Sequence, residues 1–129
     1  MKKRSLISEK QKQELKNLRA FVESNPELKF LEYAWFYNRL KIKSMSNFFN
    51  GFATAERWNN KLKDYKVGVI NQDGDVVLDF QYDSFAHLEH TNVSGEFILS
   101  VEIDGQLESI NQLGEIVTKS KSHKSVMLA

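Results

Sequence analysis

Apolar residues recur at helical spacing through the first third of the chain and at alternating spacing thereafter. Leu15, Leu18, Phe21 and Val22 fall on one helical face. Ser8 precedes them as an N-cap, and Gln11 three residues later completes a capping-box pattern. A first helix is therefore predicted over about 9–23, with residues 1–7 ahead of it as a loose basic arm. Ser24-Asn25-Pro26 interrupts the pattern. Asn25 suits a cap, and Pro26 suits a first helical position, where its missing N–H has no partner to lose. A second helix is predicted over about 26–42, carrying Leu28, Leu31, Trp35, Phe36 and Leu40. The short connection implies an antiparallel helical hairpin. Tyr33, Trp35, Phe36 and Tyr37 cover more than one face of the second helix. That suits a helix sandwiched between its neighbour and a sheet, or an aromatic patch offered to a partner. Ser44-Met45-Ser46-Asn47 ends the helical pattern.

Beyond this point the signals are those of strands and tight turns. Residues 52–58 fit a strand, although Ala53, Ala55 and Glu56 also tolerate a helix. Residues 66–70 are rich in β-branched side chains, Asn71-Gln72-Asp73-Gly74 reads as a turn, and Val76-Val77-Leu78 resumes the strand. Phe97, Leu99, Val101 and Ile103 alternate, then Asp104-Gly105 gives a hairpin signal, because both central positions of a type I′ turn need positive φ. Residues 107–111 return, Gly114 turns, Ile116-Val117 opens another strand, and 119–129 form a polar tail.

Two of these segments match. Residues 68–77 and 108–117 share the frame Ile-Asn-Gln-x-Gly-acid-aliphatic-Val, offset by 40 positions. In each copy the Asn can hydrogen-bond the turn backbone, and Gly74 or Gly114 can take a left-handed conformation. Each unit is expected to be a three-stranded meander whose first strand follows Gly51 or Gly95, which favours strand over helix for 52–58. The residues Phe49-Asn50-Gly51-Phe52-Ala53, 67–78 and Gln81-Tyr82-Asp83, with a degenerate second copy over 95–117, resemble the WG-repeat proteins of bacteria. Val67 and Leu107 stand where that family has Trp, Glu108 replaces its Gly, and Asp79-Phe80 replaces its usual Pro. The resemblance implies a β interaction module attached to diverse partners, over about 48–118. The expected architecture is α+β. A helical hairpin in 1–47 packs on a twisted antiparallel sheet of about six strands built from two WG-like meanders.

Charge changes the picture more than composition does. Net charge is only +1, yet residues 1–66 carry 15 Lys/Arg against 7 Asp/Glu, whereas 67–118 carry 10 Asp/Glu and no Lys or Arg. Such asymmetry bears on partners rather than fold. A chain with 41% hydrophobic and 12% aromatic residues can build a core. With no cysteine it has no disulfide, thiolate metal site or cysteine nucleophile. Met1-Lys2-Lys3-Arg4 resembles a basic leader, but no apolar stretch follows, so neither signal peptide nor membrane span is predicted and a cytoplasmic location is expected.

Candidate chemistry is sparse. His87-x-x-His90 has metal-like spacing but is expected in a solvated connecting loop, and His123 lies in the tail. Asn71, Asp73 and Asp75 alternate as in a calcium loop, but the Gly falls fourth rather than sixth. Nothing pairs the carboxylates for acid–base work, Ser94, Ser100 and Ser109 lack an elbow context, and no phosphate-binding Gly loop is present. No catalytic, cofactor or metal site is predicted. The principal expectation is a non-catalytic protein-interaction module with an unidentified protein partner. A first alternative is an acid-faced inhibitor of the kind small mobile-element proteins use to mimic nucleic acid. It would present Asp73, Asp75, Asp79, Asp83 and Glu89 to a basic nucleic-acid-binding protein. A second is nucleic-acid binding through Lys2, Lys3, Arg4, Lys12, Lys16 and Arg19. Against both stands pairing of these two charge sets within the chain. Edges near 52–58 or 115–118 allow a homo-oligomer.

Overall fold

The computed structural model describes residues 4–83, 87–89, 95–103 and 105–117. Helix α1 spans Glu9–Ser24. Its start is closed reciprocally, as the sequence predicts: Gln11 N donates to Ser8 Oγ at 3.1 Å and Ser8 N donates to Gln11 Oε1 at 3.0 Å. The second helical stretch is shorter than 26–42. Pro26–Leu28 form a 3-10 turn, and helix α2 spans only Phe30–Leu40. Its C-terminal end is set from outside: Lys41 turns left-handed (φ 57°), and the Arg57 Nε donates to the Leu40 carbonyl at 2.9 Å. The two helices are clamped by Glu14. Its Oε1 accepts from Trp35 Nε1 at 3.0 Å and from Arg39 Nε at 2.8 Å, and its Oε2 accepts from Arg39 Nη2 at 2.9 Å.

The strands are β1 (Arg4–Ser5), β2 (Ile42–Met45), β3 (Phe52–Asn59), β4 (Asp64–Asn71), β5 (Asp75–Tyr82), β6 (His87–Glu89), β7 (Ile98–Ile103), β8 (Gln106–Asn111) and β9 (Ile116–Val117). They form two antiparallel sheets, not the single sheet of about six strands expected: one ordered β1-β5-β4-β3-β2, the other β6-β7-β8-β9. The physical reason is visible along β4, whose residues 67–71 are buried without interruption. Alternation sends Ile70 toward the helices, where it joins Leu15, Trp35, Phe36, Leu40, Ala53, Ala55, Val76 and Phe80. Val67 and Val69 point the other way, into a second cluster with Leu78, Phe97, Leu99, Val101 and Ile110. Two apolar faces need two covers, so the second repeat lies over the first instead of extending it edge to edge.

The 40-residue echo is built twice in the same way. Asn71 Oδ1 accepts from Asp73 N at 2.9 Å and Asp75 N at 3.0 Å, and Asn111 Oδ1 accepts from Leu113 N and Glu115 N at the same two distances. Gly74 N donates to Asn71 O at 3.1 Å and Gly114 N to Asn111 O at 3.0 Å. Gly74 has φ 88° and Gly114 φ 84°, the region that glycine enters without steric cost. Each unit also has a fourth strand that the sequence does not announce. β2 precedes β3, β6 precedes β7, and both pair antiparallel with the strand that follows. Ile42-Lys43-Ser44-Met45 and His87-Leu88-Glu89 are too short for a clear period, and they are strands because a neighbouring edge supplies the hydrogen bonds. The segment 87–89 is thus paired rather than a loop. Asp104, His90, Ser94, His123 and the tail 119–129 lie outside the described residues.

Two further expectations are corrected. Residues 4–7 are docked, not loose: β1 pairs with β5 in the register Arg4↔Val76, and Ile7 is buried against Leu15 and Trp35. A Cβ on Gly74 would come within 2.8 Å of Ile7 Cδ1, so the arm and the turn are fitted to each other. The stretch 52–58 is no edge, because β3 lies between β4 and β2; β9 is an outer strand of its sheet among the described residues, as is β6.

Removing residues 1–7 is expected to cost about 2 kcal/mol through lost apolar burial. That lowers the melting temperature by roughly 5–10 °C; a melt superimposable on the parent would show that the arm is undocked. The Arg39 guanidinium, helped by the Trp35 N–H, holds the Glu14 carboxyl down at about 2. A lowered folded pKa stabilises fully above the unfolded value near 4.5 and is lost as pH falls toward 2. Glu14→Gln should therefore melt below the parent at pH 7, with the gap closing between pH 4.5 and 2. A gap that stays constant over that range would rule out the ionised clamp.

Candidate binding surface

The sequence-predicted charges mostly find one another. Lys12 Nζ lies 2.9 Å from Asp75 Oδ1, and that hydrogen bond raises the Lys12 pKa above its ordinary value. Arg19 donates from Nη2 to the Gln72 carbonyl, and its Nε and Nη1 stand 3.5 Å from Glu32 and 3.9 Å from Asp73. Glu32 is buried and also meets Lys29 at 3.7 Å. The basic face of α1 thus grips the acidic turn between β4 and β5. Asp83 accepts from Lys66 Nζ at 3.0 Å, which raises the lysine pKa. Glu89 Oε2 accepts from the Ser100 hydroxyl. Asp79 is exposed on β5, and Lys16 is exposed on α1 beside Asp73. Arg4 contributes its backbone to β1. Lys2 and Lys3 lie outside the described residues. Self-pairing thus accounts for Lys12, Arg19, Asp73 and Asp75 at one joint and for Asp83 at Lys66.

Helix α2 places its principal aromatics in the core: Phe36 is fully buried and Trp35 is 6% exposed, whereas Tyr37 faces outward. Among the described residues, no buried side-chain nitrogen or oxygen lacks a partner. No three His, Asp or Glu side chains there lie close enough to hold a metal ion.

The feature that sequence reading missed lies at the far end of the first sheet. Trp58 and Tyr65 are directly opposed on β3 and β4. Their rings meet edge to face, with centroids 5.2 Å apart. Both point to the face that the second sheet covers further along, but the burial of β4 begins only after Tyr65. Trp58 therefore stays 45% exposed, Tyr65 41%, and Leu62 in the connecting turn 50%. Lys43 on β2 places its Nζ 4.5 Å from the centre of the Tyr65 ring. The turn is held from within. Asn59 Oδ1 accepts from Lys61 N and Leu62 N at 2.9 Å, and Asn59 Nδ2 donates to Phe80 O at 2.7 Å. It presents Lys61 and Lys63, which with Lys41 and Lys43 are exposed and form no ion pair with the described residues. The acids nearby are engaged: Glu56 accepts from the Ser44 hydroxyl at 3.1 Å, and Asp64 accepts from its neighbour's backbone N–H. An open groove of about 510 Å³ runs beside Trp58, between Lys61 and Asp79. One signal in the sequence pointed here: Trp58 and Tyr65 flank the turn symmetrically, so any hairpin closed at 60–63 opposes them.

No family model, no curated protein and no solved structure matches this chain. No helix among the described residues is long and apolar enough to cross a membrane.

Because the pair is half in water, replacing both Trp58 and Tyr65 by Ala is expected to cost only about 1–2 kcal/mol. Trp35→Ala, which opens a cavity and orphans part of the Glu14 clamp, is expected to cost about 3–5 kcal/mol. Thermal melts of the two variants give the order directly; a larger loss for the Trp58/Tyr65 variant would place that pair in the core.

Proposed function

We propose that the chain is a non-catalytic binding module of WG-like β units that presents one prepared surface to a macromolecular partner. The observation that carries this reading is the Trp58–Tyr65 pair. A fold that covers both faces of the central strand leaves two large aromatics half-covered at the tip of the sheet, beside a turn braced by Asn59. Exposed Trp and Tyr on a rigid support are the residue types that dominate interface energies, because they bury much area at little entropic cost. The twin Asn-x-x-Gly turns support the WG-like reading of the scaffold, each placing a short meander on a fixed backbone bend. The expected partner surfaces in the acidic block and the N-terminal helix have less to offer. Lys12, Arg19, Asp73, Asp75 and Asp83 are already partnered within the chain, and a partner would have to displace those interactions.

The test is a photo-crosslinking amino acid at position 58, compared with one at the exposed position 23 on α1, in the cell that makes the protein. The expected outcome is an adduct of defined mass from position 58 and none from position 23. Equal labelling from both positions, or none from either, would remove the basis for a dedicated surface.

A further inference from the structure

Resting on that binding-module reading, the geometry points to single-stranded nucleic acid as the partner of the Trp58–Tyr65 tip. The sequence places its positive charge broadly over the first half of the chain. On α1 the fold locks Lys12 and Arg19 onto Asp75, Asp73 and the Gln72 carbonyl, leaving Lys10 and Lys16 exposed there. The exposed lysines that adjoin the Trp58–Tyr65 hairpin are Lys43, Lys61 and Lys63, with Lys41 just ahead of β2. These are arranged about two partly exposed rings, a combination that suits one kind of ligand. An unpaired base stacks on an indole face, while the backbone phosphates on either side meet ammonium groups. A duplex hides its bases and loses the stacking component. An acidic peptide satisfies the lysines but has no repeating planar group for the indole. Lys43 already covers a face of Tyr65, so Trp58 is the stacking platform and Tyr65 braces it edge to face, at 76°. Lys66 is held by Asp83 and Asp64 and lies outside the footprint.

The experiment uses the full chain. Trp35 is buried and Trp58 is exposed, so a change in indole emission on ligand addition reports position 58. Titration with dT or rU strands of about ten nucleotides is expected to quench that emission. The same strands carrying a fluorescent label should show saturable anisotropy. Trp58→Ala is expected to weaken binding about five-fold or more, with the melt little changed. The Lys61→Gln, Lys63→Gln variant should lower the slope of log affinity against log salt by roughly 1.4, about 0.7 for each phosphate no longer neutralised. A duplex of the same length should bind more weakly than either strand. Three results would each overturn the proposal: no binding of either strand at low salt, binding unchanged by Trp58→Ala, or a polyglutamate peptide binding as tightly as the strands. Failure here is separable from failure of the module reading. A nuclease-resistant protein adduct from position 58 would leave the module standing and discard the nucleic acid.

Discussion

Everything in this molecule is arranged about a strand with no free face. The central segment of β4 sends alternate side chains into two cores, one under the helices and one under the second sheet. Gly68 shows how closely it is held: a Cβ there would stand 2.6 Å from the Leu78 carbonyl oxygen and 2.9 Å from Phe80 Cδ1. Backbone that close leaves no room even for a methyl group, so the Gly is demanded by packing rather than by φ. In the second copy Glu108 stands at the corresponding position and is half-buried.

The turns following β4 and β8 carry a different constraint. A side-chain carbonyl that accepts two backbone N–H groups folds the chain back with little help from outside, which is why the two turns agree so closely. Their surroundings then diverge. The first turn is clasped by Lys12, Arg19 and Ile7, and so joins the N-terminal segment to the sheet. Near its Gly the second meets Leu78 alone among the described residues. One local device serves a structural joint in one place and an ordinary bend in the other.

The same layering creates the candidate surface. The cover over β4 begins at Val67, and the strand runs on past it to Asp64. Side chains on the overhang keep the orientation that core packing gave their neighbours but lose the partner layer. Trp58 and Tyr65 are core-like residues left beyond the edge of the core, and the unpaired lysines of the adjoining turn and strand set the chemistry of what can cover them.

Features under short-range control were legible in the amino-acid order: the Ser8–Gln11 cap and the Asn-x-x-Gly turns. Each depends on residues within a few positions of one another, so each left a local signature. The stacking of the repeats as two sheets left none, nor did the docking of residues 4–7 or the strand identity of β2 and β6; the charge asymmetry allowed pairing within the chain but did not say which residues would meet. Those outcomes rest on meetings between segments far apart in the chain. The folded arrangement decides which edge supplies hydrogen bonds, which apolar face lacks a cover, and which charges meet before solvent screens them. Trp58 and Tyr65 belong to both classes. Their opposition was written into the hairpin, and their exposure was set by where the second sheet happens to end.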